Sequence, residues 1–164
     1  MKHTTTDTAA KADELKQAFW RELAGSPYLF LQRQGDSTSA VPMSPQLDKD
    51  ADSAIWFFTH KHSAFAALGP VTATFVSKGH DMFARFDGTL TVEPDRARFE
   101  QFWNNFVAAW YDQGKDDPDL LFLRMDLGRA EIWSGEMGLL DTAKMALGMN
   151  VHDSAEERHV QTAL

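Results

Sequence analysis

The segment Trp56-Phe57-Phe58-Thr59-His60-Lys61-His62-Ser63 holds the densest set of side chains in this 164-residue chain that could act together on a ligand. A run of apolar rings ends in hydroxyl, imidazole and ammonium groups, immediately before what reads as a helical turn. Hydroxyls, an ammonium and free N–H groups at a helix start suit a phosphate group. The rings just before them would border a planar ligand. A buried strand followed by an ordinary polar turn accounts for the same residues, and composition alone favours that plainer reading.

Other chemistries find less support. His60, His62 and His80 are close in sequence, but nearby acids are few and no HExxH or paired-carboxylate motif accompanies them. They read as solvent-facing loop histidines, with no metal expected. Ser134 lies in Trp133-Ser134-Gly135, without the GxSxG strand–elbow–helix setting of a hydrolase nucleophile. Neither GxxxxGK[ST] nor GxGxxG is present, and the Asp112–Asp119 loop lacks EF-hand spacing. The absence of cysteine excludes disulfides, thiol nucleophiles, Cys-ligated zinc and iron–sulfur clusters. A net charge of −8 disfavours general binding of nucleic acid or anionic membrane. No apolar run is long enough to span a bilayer, and the polar start lacks a secretory signal core. A cytoplasmic location is the expectation.

The elements that must position the Trp56–Ser63 segment follow from periodicity. Leu15, Phe19 and Leu23 recur at i, i+4, i+8, which predicts a helix over Ala12–Leu23, stopped by Gly25-Ser26-Pro27. Tyr28–Arg33 reads as a strand buried on both sides. Ala40–Gln46 reads as its returning partner, confined by Pro42 and Pro45 to an edge or bulge. Ile55–Thr59 is a third strand, and Ser63–Leu68 a turn or two of helix. Val71–Ser77 and Met82–Val92 alternate as strands, with Asp87-Gly88 marking a bend or bulge. Phe99, Phe102, Trp103, Phe106, Val107 and Trp110 fall at helical spacing and predict one helix with a buried aromatic stripe. Leu120–Met125 and Ala130–Trp133 read as two strands across a turn at Asp126–Arg129, and Gly138–Leu147 as a weaker helix. Residues 1–10 are expected as a flexible tail, 11–134 as the folded domain, and 135–164 as a helix and loosely held end.

Strands joined by short turns cannot be parallel, because parallel pairing needs a long crossover. The pattern therefore predicts a mainly antiparallel sheet of six or seven strands, forming a small closed or half-open barrel with peripheral helices. Thirteen of the nineteen aromatic residues lie between Trp56 and Tyr111, so that stretch must supply both the core and any ring-binding surface.

Order and spacing add a family resemblance. Pro42-Met43, Trp56-Phe57-Phe58-Thr59 with Ser63, Phe86-Asp87-Gly88-Thr89-Leu90, Trp103-Asn104, Gly114-Lys115-Asp116-Asp117-Pro118 and Ala130-Glu131-Ile132-Trp133 together resemble the FMN-binding split barrels. That superfamily includes pyridoxamine 5′-phosphate oxidase, and the likeness is to its general stress protein branch. The resemblance spans roughly Asp13 to Trp133. It implies a six-stranded antiparallel split β-barrel with peripheral α-helices, forming a homodimer with FMN in the grooves between subunits.

On that analogy Pro42, Met43 and Ser44 lie along the isoalloxazine ring. Phe57, Phe58 and Thr59, with Trp56 beside them, line the ring and ribityl chain. Lys61, His62 and Ser63 approach the phosphate, while Trp103 and Trp133 reach the flavin from the partner subunit. Two positions depart from the family pattern: Val41 stands where an arginine is usual, and Phe65 where many relatives have lysine. Each lost charge-assisted contact costs about 1.5–3 kcal/mol. The implied function is an FMN-binding protein of the general stress type, with flavin-dependent oxidoreductase activity left open and no dedicated catalytic acid or base in view. Its rivals are a non-enzymatic flavin or small-ligand binder, and a flavin-free dimer.

Overall fold

The alternating run from Met82 to Val92 becomes the centre of the sheet in the computed structural model, which describes residues 3–35, 37–48, 50–135, 145–148 and 159–164. In chain order the elements are α1 (His3–Gly25), β1 (Leu29–Arg33), β2 (Val41–Met43), β3 (Ala54–His60), a 3₁₀ turn (Ala64–Ala67), β4 (Gly69–Val76) and β5 (Met82–Val92). Then follow α2 (Arg96–Phe102), α3 (Asn105–Ala108), a second 3₁₀ turn (Gly114–Asp116), β6 (Leu120–Ser134) and β7 (His159–Ala163). The strands form one antiparallel sheet with the path β2-β1-β4-β5-β6-β3, and β7 pairs with β6 beyond it. The sheet curls without closing: one bridge, Gln46 to Trp56, links the chain leaving β2 to the outer edge of β3. The expected mainly antiparallel split barrel with peripheral helices is the architecture found, with β7 as a seventh strand.

Alternation decides what lies inside. Leu29 and Leu31, Ile55 and Phe57, Val71, Ala73 and Phe75, Ala84, Phe86 and Leu90, and Leu123, Met125 and Ile132 all point inward and are buried. Helix α1 closes the barrel with Phe19, Trp20 and Leu23; the Phe19 ring meets Phe75 and Phe86 edge-on at 6.0 and 5.3 Å. Such edge-to-face pairs add to the area term. The expected bulge falls where the β5–β6 register shifts between Phe86 and Gly88. A Cβ on Gly88 would sit 2.6 Å from Met125 Cε and 2.7 Å from the Asp126 carbonyl oxygen, so the close strand approach there requires glycine.

Several expectations are corrected. Helix α1 begins at His3, so most of the expected 1–10 tail is helical; a helix nucleated by its docked half extends through polar residues. Phe30 and Tyr28 are exposed, so β1 is buried on one face only. The strands expected at 120–125 and 130–133 are one strand, because β5 is long enough to pair through Asp126 and Leu127 without a turn. The single aromatic helix is two short ones. Trp103 ends α2 in an extended conformation, and the Asn104 side chain accepts from the N–H groups of Phe106 and Val107 to start α3. That rotation leaves Phe106 and Trp110 exposed at 87% and 76%. The expected loose C-terminal end carries β7, and the helix expected at 138–147 falls almost wholly outside the described residues. No helix among the described residues is long and apolar enough to cross a membrane.

Candidate functional site

The opening in the barrel wall is set by how far the chain after β2 follows β3. Trp56 exchanges both backbone bonds with Gln46, at 2.7 and 2.9 Å. Because backbone groups alternate sides along a strand, the N–H and C=O of Phe58, two residues on, face the same edge. Continuing that register would place Ser44 opposite Phe58, yet the pairing stops at the bridge. The Gln46 side chain instead takes the Ser44 carbonyl at 3.3 Å. The chain therefore parts from β3, and Val41, Pro42 and Met43 pair with β1 instead, while β3 runs on from Phe58 towards Ser63 without that partner strand.

The side chains along β3 divide by parity. Phe57 is fully buried in the barrel, and Thr59 is buried on the same side, its hydroxyl 3.1 Å from that of Ser63. Trp56 and Phe58 face the other way, against α2. Trp56 is buried against Phe102 and donates its indole N–H to Glu93 at 2.9 Å, under the Arg98 guanidinium at 4.6 Å. Phe58 stacks on Phe122 at 4.6 Å and meets Phe99 and Trp103 edge-on. Trp56 and Phe57 are thus committed to two cores.

At the C-terminal end of β3 a polar cluster forms. His60 Nδ1 lies 2.9 Å and His62 Nδ1 2.9 Å from the same carboxylate oxygen of Asp119. Desolvation opposes ionisation of Asp119, but hydrogen bonds from His62 and His60 outweigh it and hold the carboxyl below its usual range. Tyr111, itself buried, donates its hydroxyl to the Thr59 carbonyl at 2.8 Å. Burial first, then Asp119 and Asp117, pushes its phenol up to about 12. Lys61 is exposed, and its N–H donates to the Asp119 carbonyl at 2.8 Å. Position Phe65 lies in the main core at 4% exposure, whereas Val41 is exposed on β2.

Trp103 is half-buried over Phe58, Phe99 and Tyr111 of its own chain. Trp133 lies elsewhere, on the outer face of the sheet, stacked on His159 at 5.0 Å. The register carries one row from Val76 through Phe83 and Trp133 to His159, and another from Phe30 through Thr74 and Arg85 to Glu131. Phe30, Val76 and Phe83 are each 42–51% exposed there, interleaved with Thr74, Arg85 and Glu131, on a face without cover from α1, α2 or α3. Sequence reading missed Gln46, Tyr111 and Asp119 as parts of this region. Only Asn104, a capping residue inside an aromatic run, offered a local signal for the break that turns Tyr111 inward.

Comparison with known proteins extends this picture. The family model described as "Pyridoxamine 5'-phosphate oxidase like" matches residues 14–156. The general stress FMN/FAD binding protein of the phytopathogen Xanthomonas citri is 40% identical, with a TM-score of 0.71, over 77% of this chain and 93% of that one. A candidate general stress protein 26 from Jannaschia sp. CCS1 is 29% identical, with a TM-score of 0.75, over 93% and 99% of the two chains. The General Stress Protein 26 of Bacillus anthracis, 17% identical with a TM-score of 0.61 over 73% and 93%, shares the fold. A search of curated proteins gives no match.

Proposed function

The chain belongs to the pyridoxamine 5′-phosphate oxidase-like family, in its general stress protein branch, and we propose that it is a cytoplasmic homodimer that binds FMN at the slit between β2 and β3. One observation carries this reading. On its outer edge the pairing of β3 ends at the Gln46–Trp56 bridge, and by strand alternation the backbone N–H and C=O of Phe58 point to that same edge. An isoalloxazine edge carries alternating carbonyl and N–H groups, and an unpaired strand edge offers their complement. Thr59, Lys61 and Ser63 follow in the chain and would hold the ribityl chain and phosphate. His62 is turned to Asp119, so Lys61 is the cation of that stretch best placed to serve the phosphate. Bound there, the flavin would supply the redox chemistry, and the protein would position and shield it.

The outer face of β1, β4, β5 and β6 supports the dimer. Exposed Phe30, Val76 and Phe83 share one sheet face with Thr74, Arg85 and Glu131, a mixed apolar and charged surface of the kind subunits pack together. Trp133 on that face would come close to a partner's slit. Binding without turnover is the second reading, favoured by the site's side chains. The candidate residues carry hydroxyls, one ammonium and backbone groups, while the two nearby imidazoles are both bonded to Asp119.

Titration of FMN fluorescence with purified protein tests the reading. Saturable quenching is expected, and unaltered fluorescence at high protein concentration would overturn it. Lys61→Ala is expected to weaken binding by about one decade, the cost of a charge-assisted contact. Reduction of the bound flavin by NADPH or NADH separates oxidoreductase from binder. Sedimentation giving a monomer would remove the shared groove.

A further inference from the structure

We propose that His60, His62 and Asp119 form a site for a single divalent transition-metal ion of the zinc type, at the C-terminal end of β3 beside the proposed flavin slit. The ligand atoms of these three residues all lie within 4.8 Å of one another. Four donors held at about 2.0–2.2 Å around a tetrahedral zinc stand roughly 3.3 Å apart. The two Nδ1-to-carboxylate separations of 2.9 Å are already close to that spacing. Only a small outward movement of the imidazoles is needed to admit an ion.

The strand ladder builds this arrangement. The β3–β6 pairing ends at His60 opposite Leu120, which puts Asp119 next to His60 although 59 residues separate them in sequence. Two backbone bonds fix Asp119: its carbonyl accepts from the Lys61 N–H at 2.8 Å, and its own N–H donates to Asp117 Oδ1 at 2.9 Å. The His60 ring is held between His62 at 5.1 Å and Tyr111 at 4.9 Å. Tyr111 in turn is tied to β3 through the Thr59 carbonyl. The site is therefore preorganised on one side and open on the other: His62 is 76% exposed, and His60 and Asp119 are 35% and 37% exposed. An ion can enter from solvent and keep a water as its fourth ligand.

Donor chemistry selects the ion. Two imidazoles with one carboxylate suit zinc, cobalt, nickel or copper, whereas magnesium and calcium prefer an all-oxygen set. To ligate, each imidazole carries its proton on Nε2 and presents Nδ1 as a lone pair, so the ion replaces the two hydrogen bonds to Asp119. The overall charge of −8 favours cation capture.

The test is titration of the full chain, without added flavin, with Co²⁺ followed by visible absorption and with Zn²⁺ followed by calorimetry. One ion per chain is expected, with the intense absorption of low-coordinate cobalt and no competition from excess Mg²⁺. His62→Ala and Asp119→Asn should each weaken Zn²⁺ binding about tenfold or more, while His80→Ala on the distant β4–β5 turn leaves it unchanged. Circular dichroism checks that the variants fold, and His62 is exposed enough that its loss alone leaves the core intact. Absence of saturation at millimolar Zn²⁺ would overturn the proposal. So would undiminished affinity in both His62→Ala and Asp119→Asn, or displacement of zinc by Mg²⁺.

Discussion

The two faces of β3 bury aromatic rings in different ways. On the barrel side, Phe57 joins Phe19, Phe75 and Phe86 in a core lined by the curled sheet and covered by α1. On the α2 side, Trp56 and Phe58 join Phe99, Phe102, Trp103 and Phe122 in a shallower cluster whose outer members are only half-buried. A ring in the barrel has neighbours in every direction, fixed by hydrogen-bonded strands. A ring under α2 depends on a helix of seven residues whose N-terminus is capped by Asp95 and whose outer side is pinned by Arg98 to Asp48. Burial in the first region follows from sheet geometry, whereas in the second it follows from where a short helix stops.

The sharpest test of that contrast is a pair of truncations. Phe86→Ala should cost about 3–5 kcal/mol in denaturant unfolding, since the ring is enclosed and the cavity cannot collapse. Phe102→Ala, at 8% exposure beneath α2, should fall at or below the lower end of that range, because a short surface helix can settle into the gap. Equal costs would show that the α2 cluster is as rigid as the barrel. Gly88→Ala comes next. A Cβ pressed on Met125 and the Asp126 carbonyl should destabilise by about 1–3 kcal/mol through overpacking. A neutral result would mean that β5 and β6 shift apart more easily than their register indicates.

Tyr111→Phe probes the junction of the two regions at smaller scale. It removes the donor to the Thr59 carbonyl and should cost about 0.5–1.5 kcal/mol. The same hydroxyl sets an alkaline signature. With the phenol raised from its ordinary 10.0 to about 12 in the folded chain, its stabilisation is complete below about pH 10 and fades as the pH rises towards 12. The decline in melting temperature over that window should shrink in Tyr111→Phe. An unchanged decline would place its origin elsewhere.

Legibility followed the same division. Alternation in Val71–Ser77 and Met82–Val92 revealed the barrel walls, because each inward residue has a partner one strand away and the period of two cannot be mistaken over that length. The Asp87-Gly88 bulge was legible for the same reason. Helical spacing from Phe99 to Trp110 misled, since period 3.6 persists in sequence across a break that one capping asparagine imposes. The proposed slit was half legible. Both stretches were visible as motifs, but the Gln46–Trp56 bridge beside them is a non-local pairing. Asp119 was invisible beside His60 and His62, because only the β3–β6 register brings them together.

The smallest expected effect is the most telling about that misread helix. Phe106→Ser and Trp110→Ser would each cost several kcal/mol if the rings belonged to a buried stripe. In the fold, Phe106 is 87% and Trp110 76% exposed, since the Asn104 cap turns α3 away from the cluster. Each substitution should therefore change stability by no more than about 0.5 kcal/mol. Chemical unfolding at two protein concentrations is the measurement. A small, concentration-independent change places both rings in solvent. A loss above about 2 kcal/mol that diminishes on dilution would instead mean that the partner subunit covers them, because only an interface makes the contribution of a surface ring depend on protomer concentration. In that case the shallow cluster would find its missing wall in the second chain, and the contrast between the two faces of β3 would belong to the monomer alone.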